Sequence, residues 1–278
     1  MDTEFNTPWR KTASAIYSRP TDGKIWGCYD IDITSALALI EEKKSNGIPL
    51  TLTQLVASAI GRAYWYDVPE LNCYTRRGNI YHRDDVGVFI SVELPDSKEM
   101  TGFVLKNPHM KTLDQVASEV TSRVEHHRAK IELGAVKHKY MLAELPWFLR
   151  VPAFRLIRWL TVDCGISLKY MKVDAHSFGS VILSNIGSHD LKYGGASILP
   201  VSTIPVVVIM GKIEKRPVVV DDTVVIRDIL PMSSTLDHRV CDGAMGGRLA
   251  KALNYYLTNP GVLDLVEEKN TVEEQVIR

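Results

Sequence analysis

The hydrophobic pattern of the chain changes its period at one point near the C-terminus. β-Branched and other apolar residues dominate 224–236, V-V-I-R-D-I-L-P-M-S-S-T-L, and a turn-like Asp-Asp pair precedes it, which predicts a strand arriving from a hairpin. From 245 to 257 the apolar residues recur at helical spacing, and this stripe stops before the N-P-G of 259–261. His238 therefore lies at a joint between a strand and a helix, where a rigid framework can hold a side chain beside a cleft.

The remaining pattern mixes strands and helices without strict alternation. It predicts strands at 24–33, 86–94, 101–106, 180–185 and 206–212, with hairpin turns at 76–79 and 221–222. It predicts helices over 7–18, 35–44, 53–63 and 112–133, with Thr7, Thr34 and Thr53 as N-caps of the first three. This order favours an α+β fold in which helices cover one face of a mixed sheet.

Composition narrows the class of protein. Lys plus Arg equals Asp plus Glu at 33 each, so no excess positive charge is available for a nucleic-acid backbone, and no nucleic-acid partner is expected. The four cysteines show no C-x-x-C spacing, and the N-terminus is polar, which together predict free thiols in a cytoplasmic protein. No linker or repeat interrupts the 278 residues, which predicts a single domain.

One apolar segment, 145–160, stands apart from the rest of the pattern. Its sequence, L-P-W-F-L-R-V-P-A-F-R-L-I-R-W-L, is cut by two prolines and carries three arginines. A membrane-spanning helix needs about 20 mostly uncharged residues, so this segment is excluded as one. Arginines among aromatic residues also suit a helix on a membrane surface, but packing on the domain or on a neighbouring subunit is the favoured interpretation.

Candidate chemistry gathers at two predicted strand ends. A histidine followed four positions later by an aspartate is weak evidence alone, but Gly243 permits a tight turn and Asp242 suits the start of a helix, where the dipole favours its charge. A second strand ends in L-S-N-I-G, 183–187, and offers the Ser184 hydroxyl and the Asn185 amide. Acyl transfer requires a base that takes a proton and a donor for the oxyanion, and these residues can supply both.

Three motifs carry a family resemblance. The segment 237–244, D-H-R-V-C-D-G-A, resembles the D-H-R-x-x-D-G-A signature of the dihydrolipoamide acyltransferase catalytic domain, the core subunit of 2-oxoacid dehydrogenase complexes. Its H-x-x-x-D-G is shared with chloramphenicol acetyltransferase, while 182–187 and the P-E-L-N of 69–72 resemble other family motifs. The resemblance runs from about residue 10 to 260. It implies a chloramphenicol acetyltransferase-like two-layer sandwich and a single acyltransferase domain over 1–278. The link between the long helix and the L-S-N strand is longer than in the family, which predicts a helical insert at about 134–176.

The resemblance also implies residue roles. His238 matches the general base, and Ser184 matches the hydroxyl that stabilises the oxyanion. Asp242 matches a carboxylate that pairs with an arginine of the first helix, for which Arg10 is the first candidate and Arg19 the second. Gly243 and Asn185 are expected to support the site. In this family the sites lie between the subunits of a trimer, where coenzyme A and the acceptor enter from opposite ends of a channel.

Departures from the family shape the expected function. The chain has no room for a lipoyl domain, so it is expected to carry no lipoyl group of its own. The C-terminal E-E-K-N-T-V-E-E-Q-V-I-R, 267–278, is too charged for the dry contact that joins trimers into cages. We therefore expect a stand-alone homotrimer that transfers an acyl group between acyl-CoA and a thiol (dihydrolipoyl-like), amine or alcohol acceptor.

Other kinds of function compete with this one. A catalytically silent trimeric scaffold could use the arginine-rich insert to bind a membrane or a protein, although such a scaffold has no need for the retained histidine and serine. His126, His127 and His138 with Glu125 could suggest a metal site, but adjacent histidines point to different sides of a helix, so no metal is predicted. Gly194 and Gly195 do not fit a dinucleotide fingerprint.

Overall fold

A computed structural model of the chain describes residues 24–93, 100–131, 144–166, 176–200 and 202–265. Strands are β1 (Lys24–Asp32), β2 (Cys73–Arg76), β3 (Asn79–His82), β4 (Gly87–Glu93), β5 (Met100–Lys106), β6 (Val181–Asn185), β7 (Val206–Met210), β8 (Glu214–Val220) and β9 (Thr223–Asp237). Helices are α1 (Thr34–Ser45), α2 (Leu52–Arg62), α3 (Leu113–Ile131), α4 (Trp147–Arg158) and α5 (Gly243–Thr258). The predicted helix over 7–18, and Arg10 and Arg19 within that region of the chain, lie outside the described residues.

The main sheet has seven strands in the order β1-β9-β7-β6-β4-β5, with β8 paired to β9. The β4–β6 and β6–β7 pairs are parallel and the other pairs are antiparallel, so the sheet is mixed as predicted. The 15-residue β9 is its spine, because its first half pairs with β8 and its second half lies between β1 and β7. Its burial changes accordingly from exposed at the hairpin to fully buried over 229–237.

Helices cover one face of this sheet and make the main core. Alternate strand residues such as Leu183, Val208 and Leu230 point to that face, where α5 packs against β1, α1 and α2. All but the first two residues of α2 are buried, because other elements surround it. The opposite face carries a smaller cluster around Ile204, Val207 and Ile209. The predicted α+β arrangement of a mixed sheet covered by helices is confirmed.

The two predicted hairpins are confirmed, but two predicted caps are wrong. Arg77 and Gly78 have positive φ between β2 and β3, as do Asp221 and Asp222 between β8 and β9, which is the geometry of a two-residue hairpin turn. Thr51 rather than Thr53 caps α2, because Thr51 has an extended backbone. Its hydroxyl accepts from the Gln54 amide, and the Gln54 side chain accepts from the Thr51 amide at 2.7 Å, completing a capping box.

At α1 the expected cap is replaced by a carboxylate from the preceding strand. The Thr34 side chain does not cap the helix; both its amide and its hydroxyl donate to Asp32 Oδ1, at 3.0 and 2.6 Å. A carboxylate is the stronger acceptor, and β1 holds it in reach of the first turn. The predicted end of this helix at 46–47 is confirmed, with Gly47 at positive φ.

The helical insert predicted at about 134–176 contains α4 and a following turn of π-helix, Trp159–Asp163, while 132–143 and 167–175 lie outside the described residues. Arg158 Nε donates to the Pro200 carbonyl at 3.3 Å, which ties α4 to the main body. Phe154 is buried, but Trp147 is 78% exposed and Phe148 is also exposed. Among the described residues no helix is long and apolar enough to cross a membrane.

Gly211 supplies a stability test at the crossing of two loops. An ideal Cβ at this position would lie 1.8 Å from the Lys192 carbonyl oxygen, which belongs to the backbone and cannot rotate away. We expect Gly211→Ala to lower the free energy of unfolding by about 1–3 kcal/mol, the usual cost of overpacking. Thermal unfolding measures the loss, with Gly27→Ala as control, since no atom lies within 4 Å of a Cβ there. Equal melting temperatures for the two variants would contradict this account.

Candidate active site

His238 lies immediately after β9, in the loop that leads into α5, as predicted. Its side chain is exposed, and its Nδ1 is 2.9 Å from the Cys241 carbonyl oxygen. Because a carbonyl oxygen can only accept, Nδ1 of the neutral ring carries the proton and donates it there. The Nε2 lone pair is then available, so the loop presents the imidazole as a proton acceptor.

Backbone bonds from the end of β9 hold this loop. The Asp237 amide donates to the Pro205 carbonyl at 2.8 Å, which extends the ladder between β9 and the chain before β7. The Asp237 carbonyl accepts from the Val240 amide at 3.0 Å and from the Cys241 amide at 3.1 Å. The four residues 238–241 therefore form a closed turn on the last residue of a buried strand.

Asp242 is the N-cap of α5. Its backbone is extended, and its Oδ1 accepts from the Met245 amide at 2.9 Å, so the carboxylate satisfies one of the free donors at the helix start. Its predicted partner Arg10 lies outside the described residues. Gly243 begins the helix with neither a positive φ nor an atom within 4 Å of a Cβ, so the single chain shows no steric need for glycine at this position.

Ser184 lies on β6, on the sheet face opposite the main helical layer. It is half-buried, and the next residue, Asn185, accepts the Gly187 amide on its Oδ1 at 2.9 Å. The Asn185 side chain thus closes the turn that follows β6. This contact accounts for an amide at that position without any substrate.

A single chain does not bring Ser184 and His238 together. Ser184 aligns with Ile209 on β7, which aligns with Ser233 on β9, so it lies two strands away, a separation of about 10 Å. Ser233 also precedes His238 by five residues, or about 16 Å along the strand. Because β6 and β9 run in opposite directions, the C-terminal ends of these two strands lie at opposite ends of the sheet. The sequence pattern does not reveal these strand directions.

Cys241 is close to His238 in sequence but is not its nucleophile. Burial, followed by the Coulombic effects of Asp237 and Cys73, raises the pKa of the Cys241 thiol to about 12. The protonated Sγ donates to the Asp237 carbonyl at 3.2 Å, while the histidine ring contacts the Cys241 carbonyl. The thiol is therefore part of the loop's framework, since only a thiolate would attack a carbonyl carbon.

The P-E-L-N motif supports the site from the neighbouring layer, a role that sequence reasoning did not assign. Asn72 accepts from the Ser180 hydroxyl at 2.6 Å and donates to the Arg83 carbonyl at 3.0 Å, joining the start of β6 to the chain before β4. Glu70 forms an ion pair with Arg248 on α5. The motif thereby links α5, which follows the His238 loop, to the strand that carries Ser184.

Arg83 was also missed, because nothing in the sequence pattern distinguishes it from a surface arginine. Burial lowers its pKa to about 10, and its Nη2 donates to the Thr203 carbonyl and hydroxyl at 3.2 and 3.0 Å. Its Nε donates to the Cys73 carbonyl at 3.3 Å. Arg83 thus cross-links the start of β2 to the loop before β7, near the end of β9 that His238 follows.

No group of three His, Cys, Asp or Glu suited to a metal occurs in the part of the chain that the structure describes. The side chains of the three histidines that the sequence offers as ligands beside Glu125, His126, His127 and His138, lie outside that part.

Residues 169–265 match the family model for 2-oxoacid dehydrogenases acyltransferase (catalytic domain). This stretch of the chain is similar to these acyltransferase catalytic domains. It is 25% identical over 253 residues to the lipoamide acyltransferase component of the branched-chain α-keto acid dehydrogenase complex of Bacillus subtilis (strain 168), which covers 89% of this chain and 48% of that protein. The predicted family resemblance is confirmed, and the chain spans about half the length of this curated relative.

Solved acyltransferase structures share the fold. The dihydrolipoamide acetyltransferase of Azotobacter vinelandii superposes with a TM-score of 0.64 at 19% identity, covering 87% of this chain and 84% of that one. A chloramphenicol acetyltransferase superposes with a TM-score of 0.51 at 13% identity, covering 92% of this chain and 98% of that one. The predicted chloramphenicol acetyltransferase-like fold is therefore confirmed.

The cap at Asp242 yields a stability prediction. Asp242→Ala removes the side-chain acceptor of the Met245 amide, and we expect the free energy of unfolding to fall by about 1 kcal/mol, as for other N-caps. Asp242→Asn keeps an acceptor of the same shape, so most of the stability should remain in chemical denaturation. An asparagine variant as unstable as the alanine variant would contradict the cap and would favour an ionic role for the carboxylate.

The buried thiol yields a pH prediction. Folding raises the pKa of Cys241, so its contribution to stability is complete below the ordinary thiol value of 9.0 and is lost as pH rises through about 12. We expect the melting temperature to fall between about pH 9 and 11, and to fall less steeply in Cys241→Ser. Cys164→Ser, outside the loop, serves as the control and should keep the parental slope. An unchanged slope in Cys241→Ser would contradict the assignment.

Proposed function

We propose that the protein is a CoA-dependent acyltransferase that moves an acyl group between acyl-CoA and a thiol, amine or alcohol acceptor. The observation that carries this proposal is the His238 loop, which fixes Nδ1 against the Cys241 carbonyl and leaves Nε2 as an exposed base. The family match supports the reaction class. Coenzyme A acts as a substrate here, and the lipoyl or small-molecule acceptor comes from outside this domain.

The proposed reaction uses two side chains. Nε2 of His238 takes the proton of the acceptor while the acceptor atom attacks the thioester carbonyl carbon. The Ser184 hydroxyl donates to the oxyanion of the tetrahedral intermediate, and the intermediate collapses as the carbon–sulfur bond breaks. The leaving thiolate of coenzyme A then recovers the proton from His238, which restores the neutral base.

A structural relative supports these assignments. The catalytic mechanism of the Azotobacter vinelandii enzyme has been investigated at a serine, a histidine and an asparagine. There the asparagine lies four positions after the histidine, as Asp242 does after His238, and the serine precedes the histidine by about the same stretch of chain as Ser184 does here. Asp242 has an exposed side chain that caps α5, so we assign it to holding the loop.

The separation of Ser184 from His238 supports a site built from two chains. One sheet cannot bring them within hydrogen-bonding distance of one intermediate, because about 16 Å of strand and two strand spacings separate them. A neighbouring copy can bring its own Ser184 to the exposed His238. We therefore propose a homotrimer in which each site takes the base from one chain and the oxyanion donor from the next.

Subunit mixing tests this arrangement. His238→Ala should lower acyl transfer at least about 100-fold, and Ser184→Ala about 100- to 1,000-fold. Co-expression of the two variants in equal amounts should restore about one quarter of parental activity, since that fraction of sites receives an intact base and an intact donor. The readout is thiol release from acyl-CoA.

Mixing His238→Ala with the double variant His238→Ala/Ser184→Ala is the matched control, because it offers no intact base and should stay at background. Failure of the first mixture to exceed the single variants would contradict a shared site. Light scattering should give a mass near three chains, and either a monomer or a cage-sized particle would contradict the proposed assembly.

The acceptor is found by varying the substrates of the same assay. A panel of acyl-CoAs is combined in turn with free dihydrolipoamide, small amines and small alcohols. Transfer that depends on His238 identifies the acceptor class, and its absence for every acceptor would contradict the enzymatic proposal.

A second candidate function is favoured by the exposed aromatic face of α4. Trp147 and Phe148 are exposed beside Arg150 and Arg155, as expected of a helix that binds a protein or a membrane surface. A silent trimeric scaffold would use this face and would leave His238 without a role. Flotation with anionic vesicles tests whether this face of α4 binds a membrane. A helix packed on the trimer should leave the protein at the bottom of the gradient, whereas a membrane-bound helix should carry it upward with the vesicles.

A further inference from the structure

Asp237 and Arg239, the two residues that flank His238, are joined by hydrogen bonds and an ion pair. Arg239 Nε donates to both carboxylate oxygens of Asp237, at 2.9 and 3.1 Å, and Arg239 Nη2 donates to Oδ2 at 2.5 Å. The Arg239 amide also donates to Oδ1, at 3.0 Å. One carboxylate therefore fixes both the backbone and the side chain of the residue after the histidine.

The burial of the pair is uneven. Asp237 is 7% exposed, whereas the Arg239 side chain is 67% exposed. A buried carboxylate requires donors, and Arg239 supplies all the side-chain donors just described. An ion pair open to solvent at one end adds little to global stability, so its effect is expected in the geometry of the loop.

Asp237 also holds the far end of the loop, at Cys241. The Asp237 carbonyl accepts from the Cys241 amide and from the Cys241 thiol, and the Cys241 carbonyl accepts from Nδ1 of His238. Asp237 thus controls the peptide before the imidazole and, through Cys241, the group that the imidazole contacts. Its carboxylate in turn is oriented by Arg239.

We propose that Asp237 and Arg239 form a positioning pair that holds the Nδ1–H tautomer of His238 and aims Nε2 at the reacting proton. The inference rests on the proposed acyl transfer, and neither residue touches the reacting atoms. Loss of the pair should let the loop and the ring move, and a misplacement of about 1 Å costs about 100-fold in rate.

Kinetics on the full chain test the pair first. Arg239→Gln should lower kcat by about 10- to 100-fold while KM for acyl-CoA stays near the parental value. Arg239→Lys keeps the charge without the planar fork and should recover part of the loss. Asp237→Asn combined with Arg239→Gln should cost no more than the worse single change, because the two act as one unit.

Nitrogen-15 spectroscopy of histidine-labelled protein supplies a readout that does not depend on activity. The His238 signals are assigned by their loss in His238→Ala, and the parent should show a protonated Nδ1 with an unprotonated Nε2. Arg239→Gln should show a mixture of both tautomers. The matched control is Arg123→Gln, which removes an arginine–glutamate pair on α3 and should change neither kcat nor the spectrum.

The outcomes separate the two proposals. A parent with a protonated Nε2 would overturn the assignment of His238 as base, and with it the proposed function. A parent with the expected tautomer, together with an Arg239→Gln variant that keeps both the tautomer and kcat, would overturn the positioning pair alone. If Arg239→Gln does not fold, the same comparison is made with Arg239→Lys.

Discussion

The antiparallel pairing of β9 with β1 and β7 is the interaction on which the rest of the structure depends. Its buried half, 229–237, is held on both sides, and it ends at Asp237, whose amide completes the ladder by donating to Pro205. His238 follows immediately, so the rigidity of a buried strand is transferred to an exposed side chain. In its proposed role as a base, His238 would need little reorganisation when a substrate arrives, which is the condition for efficient proton transfer.

The direction of the same strand also separates Ser184 from His238 within one chain. Because β9 runs antiparallel to β6, His238 and Ser184 lie toward opposite ends of the strands of one sheet. The main helical layer covers the face opposite Ser184, while the Ser184 face carries the smaller cluster around Val207 and Ile209. A shared site would make catalysis depend on association, and activity would then fall when dilution separates the chains.

The contacts that hold the His238 loop come from residues close to it in sequence. The contacts that hold the surrounding strands and helices join distant parts of the chain. Asp237, Arg239 and Cys241 all lie within three residues of His238, and their hydrogen bonds contact its ring or hold its loop. The contacts of Glu70 with Arg248 and of Asn72 with Ser180 come from distant parts of the chain. In the proposed mechanism the first group orients Nε2 of His238, and the second holds the elements from which the loop departs.

The sequence alone determined the strand-to-helix joint at His238, both hairpin turns and the mixed architecture, because hydrophobic period and turn chemistry are local properties. It placed the α2 cap at Thr53 instead of Thr51, since two threonines compete there and only the extended backbone at Thr51 decides. Strand direction, the separation of Ser184 from His238, and the raised pKa of Cys241 came only from the tertiary structure. Each of these depends on which distant segments of the chain pair with and bury one another, and the local hydrophobic pattern of the sequence does not show this.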